Sequence, residues 1–361
     1  MKKIILSITC LLLTGCSAKV GPKNLNIDSD HYNRAVHHSM DRQLLLNIVR
    51  LRYRDTPTFL QVGIISSSYD FKRAGKSCFE YDDSSYIWKI KPEIGIEYSE
   101  KPTTTYSPVR GEGFVSEFLS PVPFETVLLL NSSGWNMDRI LRCCVQRINN
   151  IRNAPSASGP TPTIAPEYSE FAELSMLLKT LEEQDGVHVV SQRAQEKCAP
   201  DFYLVFDPEV AEPSIMHRVW DMLDIEPGTH QVKITPYHGK KHGKNDLMIQ
   251  TRSPLSIMYF LSHGVHAPWC DELNGLVTIT QDQFGEQFSW NNVLNGIMQI
   301  HYAKERTVCN AAVLVNYRGY DFYIDDRDLG SKATFSLLSQ LLALQTGKPN
   351  IPILTLPVVS P

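Results

Sequence analysis

The sequence has no excess of basic residues and no long apolar run. Its 361 residues include 35 Lys and Arg against 39 Asp and Glu, which gives a net charge of −4. Neutralising the phosphates of a nucleic acid needs a clustered basic excess, so nucleic acid is not expected as a partner. A composition with 42% hydrophobic and 20% charged residues excludes both a disordered acidic chain and a polytopic membrane protein. The chain is therefore expected to fold, into about two domains at this length.

The motifs of the common enzyme classes are also missing. The sequence contains no Gly-x-Ser-x-Gly elbow, no His-Glu-x-x-His pair, no phosphate-binding glycine loop and no dinucleotide fingerprint. We therefore assign no catalytic residue and no cofactor. A pair of carboxylates that meet only in the fold remains open, and Glu112 and Glu117, which lie near glycines, are the first candidates for such a pair.

Two groups of residues invite a metal site, and neither satisfies its requirements. His263, His266 and Cys270 offer three donors, whereas a structural zinc site uses four at recognised spacings. Asp325, Asp326 and Asp328 lack the alternating ligands and the final glutamate of a calcium loop. We predict no metal site, and we interpret the three aspartates as residues that precede a helix N-terminus.

The N-terminus is typical of a bacterial lipoprotein precursor. Lys2 and Lys3 precede the apolar stretch Ile4–Leu13, which is too short to span a bilayer as a helix. Residues 13–16, Leu-Thr-Gly-Cys, resemble a lipobox, so residues 1–15 are predicted to be a signal peptide and Cys16 to carry the lipid. The alternatives are an ordinary secretory signal or a short hydrophobic anchor. Ser17, in place of Asp, favours an outer-membrane lipoprotein that faces the periplasm.

Six cysteines remain after Cys10 and Cys16 are set aside. An oxidising periplasm permits disulfides, and six cysteines allow 15 pairings, among which the sequence does not choose. Cys143 and Cys144 lie in a helical pattern that makes Cys144 a small core residue. At least one disulfide is expected among the cysteines in loop-like surroundings, which are Cys78, Cys198, Cys270 and Cys309.

Helical and extended patterns are grouped along the chain, which predicts an α+β fold with mostly antiparallel strands and two subdomains. A polar tether over residues 16–29 leads to an N-terminal α+β region over residues 30–152. Residues 153–166 contain four prolines among small residues and are predicted to be a linker or a long exposed loop. A C-terminal α+β region follows over residues 167–361.

Within these regions, several elements have specific predicted limits. Met40, Leu44, Ile48 and Leu51 are predicted to form the apolar face of the first helix. The helix that carries the cysteines is expected to end near Arg152, and Ser331 is expected to cap the last helix. Strands over residues 232–235 and 246–250 are expected to pair across a basic loop. Arg318-Gly319 is predicted to be a two-residue hairpin turn.

Four segments together resemble a family of bacterial lipoproteins of unknown activity. They are LRYRDTPTFLQV (51–62), SEKPTTTYSPVRGEGFVSEFLSPVP (99–123), RSPLSIMYFLSHGV (252–265) and YRGYDFYIDDRDLGSKATFSLLSQLLAL (317–344). The resemblance implies a location in the cell envelope and implies no activity, substrate or catalytic residue. The basic loop at residues 236–244 and the stretch around residues 266–296 do not match the pattern.

These observations favour a non-enzymatic lipoprotein, attached to a membrane through its N-terminal lipid, that docks or scaffolds an envelope protein. Tyr317, Tyr320, Phe322 and Tyr323 lie in alternating strands, and we predict that some of these rings lie on the face away from the core and contact the partner. The loop around His238 is a second candidate. A lipid-anchored hydrolase of cell-wall polymers or glycans is the first alternative. A ligand-binding lipoprotein ranks last, because the βαβ alternation of such proteins is missing.

The lipobox generates a direct test. Cys16→Ala is expected to release the protein from the membrane fraction or to leave it at full precursor length, because the thiol is the site of lipid transfer. Fractionation and immunoblotting measure both outcomes. Mass spectrometry of the mature wild-type protein provides the opposite test, since an acyl-free Cys16 would show that the motif is not used.

Overall fold

The computed structural model describes residues 20–82, 87–108, 112–192, 201–239, 246–304 and 308–345, with side chains from 30 to 60 and, within these ranges, from 116 to 344. Helices and strands in this part of the chain form an α+β fold, as the sequence predicts. The strands are arranged as a six-stranded mixed sheet, a three-stranded antiparallel sheet and a two-stranded hairpin.

The elements have the following limits. The described helices are α1 Val20–Arg52, α2 Glu112–Leu119, α3 Phe124–Ser132, α4 Met137–Cys144, α5 Ser169–Glu183, α6 Pro213–Leu223, α7 Pro254–Ser262, α8 Trp269–Leu273, α9 Asn291–Leu294 and α10 Leu329–Gln345. The described strands are β1 Leu60–Asp82, β2 Ile87–Pro108, β3 Val145–Ile148, β4 Ile151–Arg152, β5 Val187–Gln192, β6 Asp201–Phe206, β7 Gln231–Pro236, β8 Asp246–Thr251, β9 His301–Ala303, β10 Ala311–Tyr317 and β11 Tyr320–Asp325.

Helix α1 has 33 residues and is about 50 Å long at 1.5 Å per residue. It begins at Val20, so the prediction of a tether over residues 16–29 is wrong for residues 20–29. Pro22 lies in the first turn, where the missing N–H costs nothing, and each further residue adds one hydrogen bond to a helix that has already formed. None of the helices in the described ranges is long and apolar enough to cross a bilayer.

Only the C-terminal end of α1 is buried in the body of the protein. Leu44, Ile48 and Leu51 are buried as predicted, but Met40 is 56% exposed. The predicted apolar face is therefore wrong at its first residue, because residues 30–43 extend beyond the elements that cover the helix. Periodicity reveals an apolar stripe, but it does not reveal how far along that stripe the rest of the fold reaches.

Strands β1 and β2 form a long antiparallel hairpin. Their register runs from Leu60 opposite Pro108 to Asp82 opposite Ile87, with one irregularity between Val62 and Ile65. At about 3.4 Å per residue, 22 residues extend for about 75 Å. Among the described strands, β1 and β2 pair only with each other.

The six-stranded sheet has the order β4-β3-β8-β7-β6-β5. Strands β7 and β8 do pair, but they are parallel, with Lys233 opposite Asp246 and Pro236 opposite Ile249. The expectation that the basic residues after Pro236 form a hairpin tip is therefore wrong. Two parallel strands are not joined by a tight hairpin turn, and residues 240–245 lie outside the described residues.

The helix that carries the cysteines ends at Cys144, eight residues before the predicted limit, and the chain continues directly as β3. The reason is a long-range contact. The guanidinium Nη1 of Arg252 donates to the carbonyl oxygens of Arg142, Cys143 and Val145 at 2.9, 3.1 and 3.0 Å. The last carbonyls of a helix have no partner within the helix, and a cation is favoured there, so this contact stabilises the helix end.

Arg252 also binds the proline-rich segment that follows. Its Nη2 donates to the carbonyl oxygen of Asn153 at 2.5 Å and its Nε donates to Ser158 Oγ at 3.1 Å. Ala154, Ala157 and Thr161 are buried. The prediction that residues 153–166 form a linker or exposed loop is therefore wrong for these buried residues, whereas Ile164, in the same segment, is 70% exposed. The strands on either side of this segment, β3 and β4 before it and β5 to β8 after it, belong to one sheet.

The three-stranded sheet has the order β10-β11-β9, and its hairpin turn is confirmed. Arg318 and Gly319 have φ values of 51° and 83°, the left-handed conformation that two-residue hairpin loops require. The predicted cap of the last helix is wrong by three residues. Asp328 Oδ1 accepts from the backbone N–H of Ser331 at 3.0 Å, so Asp328 is the cap and Ser331 lies inside the helix.

Replacement of Arg252 by Met should lower the free energy of unfolding by about 3–5 kcal/mol, because several buried carbonyl groups lose their donor. Arg252→Lys should be intermediate, since a lysine keeps the charge but not the planar set of donors. Urea unfolding with a shared m-value measures both. Arg327→Met is the matched control, because its ion pair with Asp325 is on the surface and should contribute less than about 1 kcal/mol. Equal losses in Arg252→Met and Arg327→Met would contradict this account.

Candidate docking surface

Residues 266–296, which we call the 266–296 segment, carry large apolar side chains on the surface of the protein. Trp269 is 66% exposed, Leu273 is 65% exposed and Phe284 is 80% exposed. The segment contains four acidic residues and no Lys or Arg. Single exposed apolar residues are common, but several on one acidic segment are typical of an interaction site.

Helix α8 buries a charged side chain and exposes large apolar ones, which is the opposite of the usual pattern of burial. Trp269 and Leu273 are four residues apart, so they share the exposed face of the helix. Asp271 is buried, and its Oδ2 accepts a hydrogen bond from the Tyr53 hydroxyl at 2.7 Å. The helix therefore buries its carboxylate and exposes its tryptophan and leucine. The exposed Trp269 and Leu273 side chains bury little apolar surface within this chain, which favours a role in binding.

Phe284 is held on a hydrogen-bonded turn. The side chain of Asp282 accepts from the backbone N–H groups of Phe284 and Glu286 at 2.8 and 2.9 Å. The Asp282 backbone N–H donates to the Glu286 carbonyl at 2.8 Å. These bonds restrict the backbone that carries the phenyl ring, so less entropy is lost when the ring binds a partner.

The base of the 266–296 segment is fixed to the body of the protein by buried polar contacts. Thr280 Oγ1 donates to the Pro162 carbonyl at 2.7 Å and accepts from Trp290 Nε1 at 3.2 Å. The backbone of Gln281 exchanges two hydrogen bonds of 2.8 Å with Thr163 and Ala165. The exposed apolar residues therefore stand on an ordered support.

The C-terminal end of α1 contributes to the same support. Arg52 Nη1 donates to Thr161 Oγ1 at 3.2 Å and to the Thr278 carbonyl at 3.0 Å. Arg54 Nη2 donates to the Thr161 carbonyl at 3.0 Å. Burial, together with the bond to Asp271, raises the pKa of Tyr53, so its hydroxyl remains a donor at neutral pH. Three consecutive residues, the last of α1 and the two that follow it, thus bind this segment and the loop beside it.

Asp55 connects the end of α1 to the β10–β11 hairpin. Its carboxylate accepts from the Tyr317 hydroxyl and, at 3.0 Å, from Arg318 Nη2. Both bonds hold the pKa of Asp55 below its ordinary value. The Arg318 guanidinium also lies 5.0 Å from the centre of the Tyr53 ring. The β10–β11 turn is therefore connected, through Asp55 and Tyr53, to the contacts that hold the 266–296 segment.

His263 lies directly behind this region. Its ring packs against Trp290 with centroids 4.0 Å apart, and its Nδ1 lies 3.1 Å from the Phe260 carbonyl. Nε2 is buried without a hydrogen-bond partner in the described part of the chain. Burial, with the nearby Arg52 charge, lowers the pKa of His263 to about 3. The ring is therefore neutral at physiological pH.

The predicted contact residues of the aromatic strands are mostly used within the fold. Phe322 is fully buried, and Tyr317 and Tyr320 are only partly exposed and pack against the core. Tyr323 is partly exposed beside His301, with ring centroids 5.7 Å apart. Phe322 is therefore one of the rings that face the core, and contact of the partly exposed rings with a partner stays a prediction. His238 is exposed, whereas Lys240, Lys241 and Lys244 lie outside the described residues.

The cysteine predictions have mixed outcomes. Cys143 and Cys144 are free, buried thiols, as predicted for Cys144, and burial raises the pKa of Cys143 to about 11. Cys270 is an exposed free thiol and Cys309 is exposed. Cys16 and Cys198 lie outside the described residues, as does the side chain of Cys78. A disulfide that includes Cys78 or Cys198 stays a prediction.

The metal candidates differ in burial, and the carboxylate candidates lie on one helix. His263 is buried, while His266 is exposed and bonds Gln299 at 2.7 Å. Among the described residues there is no group of three or more side chains able to hold a metal ion. Glu117 is exposed on α2, and Glu112 begins that helix.

The sequence contained one signal for the docking surface, which is the composition of the 266–296 segment and not its periodicity. The 266–296 segment combines Trp269, Leu273 and Phe284 with acidic residues and contains no Lys or Arg. Its burial pattern could not be predicted, because Asp271 turns inward only through its bond to Tyr53, 218 positions earlier.

Comparisons with protein-family models, with curated proteins and with solved structures find no match for this chain. The interpretation of the site therefore depends on its own geometry.

The buried His263 predicts a specific pH dependence of stability. Its folded pKa of about 3 is below the ordinary value of 6.5, so between these values the unfolded chain binds more protons and stability falls as pH falls. Between pH 7 and pH 5 the loss from this residue should be about 2 kcal/mol. In His263→Phe that part of the loss should disappear, which urea unfolding at several pH values measures. His238→Gln, at an exposed residue, should keep the wild-type profile, and an unchanged profile in His263→Phe would contradict the assignment.

Proposed function

We propose that this protein is a lipid-anchored component of the bacterial cell envelope that acts by contact, docking an envelope protein through the 266–296 segment. The observation that supports this most strongly is the inversion of α8, which exposes Trp269 and Leu273 and buries Asp271. The N-terminal motif that ends at Cys16 supports the lipid anchor, and Ser17 supports an outer-membrane location facing the periplasm.

The exposed residues favour a protein as the partner. Tryptophan is among the residues enriched at the energetic centres of protein interfaces, since it offers a large contact area at a small entropic cost. Trp269 and Leu273 project from one helix face, and the turn of Phe284 is ordered by Asp282. Ordered, solvent-exposed apolar groups on a rigid support are the usual features of a binding surface.

The charge of the segment limits the chemistry of the partner. Asp282 and Glu286 lie beside Phe284, and Glu272 lies between Trp269 and Leu273 in the exposed part of the segment. With no Lys or Arg to balance them, these carboxylates favour a partner site with an apolar pocket rimmed by basic residues. The same charges oppose docking onto an anionic lipid surface.

Helix α1 provides the connection between the proposed anchor and the proposed contact. Cys16 precedes Val20, the first residue of α1, by four positions. The other end of the helix binds the support of the docking surface through Arg52, Tyr53 and Arg54. A helix of about 50 Å would set the distance between the membrane and the bound partner.

Photocrosslinking from a probe at Leu273 in intact cells tests the proposal. The expected result is one dominant adduct with an envelope protein, and Trp269→Ala should reduce its yield by at least roughly tenfold, as the loss of an interface hot spot does. Thermal stability should be unchanged, because the side chain is mostly exposed. The matched control is a probe at Leu329, which is 72% exposed on α10 and should not give this adduct.

Two results would contradict the proposal. The first is an equal yield of the same adduct from Leu273 and Leu329. The second is degradation of isolated peptidoglycan by the purified protein with no adduct from Leu273, which would favour the hydrolase instead.

A further inference from the structure

His266 and His301 lie side by side in the fold, although they are distant in the sequence. The centres of their imidazole rings are 5.1 Å apart, and the ring planes are at an angle of 78°. The prediction of no metal site considered His266 only with His263 and Cys270, its neighbours along the chain. The fold gives His266 a second imidazole as its neighbour, which the spacing of residues in the sequence does not reveal.

The backbone holds the two histidines opposite each other. Val265 and Ile300 form a parallel bridge. Ile300 accepts from the backbone N–H of His266 and donates to the carbonyl oxygen of Gly264, both at 2.9 Å. His266 and His301 each follow one residue of the bridge, so their side chains leave the same face of the paired chains. Gly264 permits this approach, because a Cβ atom there would lie 2.4 Å from a backbone oxygen of the facing chain.

The ring of His266 is oriented by Gln299. His266 Nε2 lies 2.7 Å from Gln299 Oε1, and because an amide oxygen only accepts, Nε2 carries the proton and donates. Gln299 is itself fixed, since its Nε2 donates to Asn291 Oδ1 at 2.9 Å and its backbone N–H donates to Ser331 Oγ at 2.8 Å. The lone pair of His266 Nδ1 is therefore available to a metal ion. A ring N–H that donates to a carbonyl group is the usual arrangement behind a metal-binding histidine.

The ring of His301 is also held in place. His301 is partly buried in β9, and its ring packs beside Tyr323 with centroids 5.7 Å apart. Burial, and after it the neighbouring His266, lower the pKa of His301, so the ring is neutral at physiological pH. Metal ions bind the neutral form of imidazole. Both rings therefore meet this requirement without rearrangement of the backbone.

Two nearby carboxylates add negative charge to the site. Against the larger effect of burial, Asp328 and Asp325 raise the pKa of His301, so they lie close enough to favour a cation beside its ring. Asp325 already accepts from Arg327, and Asp328 accepts from Ser331, so neither carboxylate is assigned as a ligand. The site thus has two protein ligands, which agrees with the lack of a larger metal-binding group in the described part of the chain.

We infer that His266 and His301 together bind one late first-row transition-metal ion, such as Zn²⁺ or Cu²⁺. A metal–nitrogen bond of about 2.05 Å places the ring centre about 3.2 Å from the ion, so two imidazoles at a tetrahedral angle have centres about 5.2 Å apart. The observed separation is 5.1 Å. Imidazole suits zinc and copper, whereas Ca²⁺ and Mg²⁺ prefer oxygen ligands.

The bound ion would connect the two ends of the 266–296 segment. His266 is the first residue of this segment, and His301 lies shortly after its last residue. Two protein ligands leave at least two positions of a four-coordinate ion open, either for water or for a donor atom of another molecule. The site does not depend on the proposed docking function, because both of its ligands belong to this chain.

Isothermal titration calorimetry of the purified full-length protein in detergent tests the site. The thiols are alkylated first, because Cys270 and Cys309 are exposed and thiolates bind the same ions. The wild-type protein should bind one more equivalent of Zn²⁺ than either His266→Asn or His301→Asn, and Cu²⁺ should bind this site more tightly than Zn²⁺. His238→Gln is the matched control, because it removes an exposed histidine and should keep the wild-type stoichiometry.

Gln299 is a positioning residue in this site, and a pair of variants tests that role. Gln299→Leu removes the acceptor for His266 Nε2 and should weaken the binding of Zn²⁺ at least roughly tenfold. Gln299→Glu keeps an acceptor in the same place and should restore the affinity. Equal affinities in the two variants would show that Gln299 does not orient the ligand.

Two other outcomes would overturn the inference. The first is the same Zn²⁺ stoichiometry in the wild type and in both histidine variants. The second is a loss in only one of them, since the two rings would then not share an ion. Without metal, His266→Asn should unfold at the wild-type temperature, because the side chain is exposed, so a loss of binding does not report misfolding. The titration contains no partner protein, so its result is independent of the adduct from Leu273.

Discussion

The guanidinium group of Arg252 is completely buried and joins parts of the chain that are distant in sequence. It donates to five acceptors, three carbonyls at the end of α4 and two groups in the proline-rich segment, and it lies 4.0 Å from the ring centre of Phe260 in α7. Burial lowers the pKa of Arg252 to about 10, so it remains charged at neutral pH. The cost of desolvating that charge is offset only where every donor has a partner. The end of α4, the course of residues 153–166 and the position of α7 therefore depend on one another.

A second set of contacts at the end of α1 depends on this framework. Arg52 and Arg54 bind Thr161, which lies in the same proline-rich segment that Arg252 binds, and Tyr53 and Asp55 bind Asp271 and the β10–β11 turn. Four consecutive residues thus contact three separate parts of the fold.

One surface departs from the rule that apolar residues face the core. In α8 the carboxylate of Asp271 is buried and Trp269 is exposed. Natural sequences depart from local rules chiefly where function requires it, so this departure supports the docking surface that we propose for the 266–296 segment.

Signals from one or two neighbouring residues were sufficient to place several helix starts and one hairpin turn. Pro213 begins α6, Ser253 caps α7, and Arg318-Gly319 forms the hairpin turn, because each depends on the backbone preferences of one or two residues. The α+β class was also predictable, because helical and extended patterns are grouped along the chain. Only the tertiary structure decided where α4 ends, that β7 and β8 are parallel, and that Asn153, Ala154 and Ala157 are buried. The end of α4 and the course of the proline-rich segment depend on Arg252, about 100 residues away, and a sequence pattern does not show which distant residue supplies such a contact.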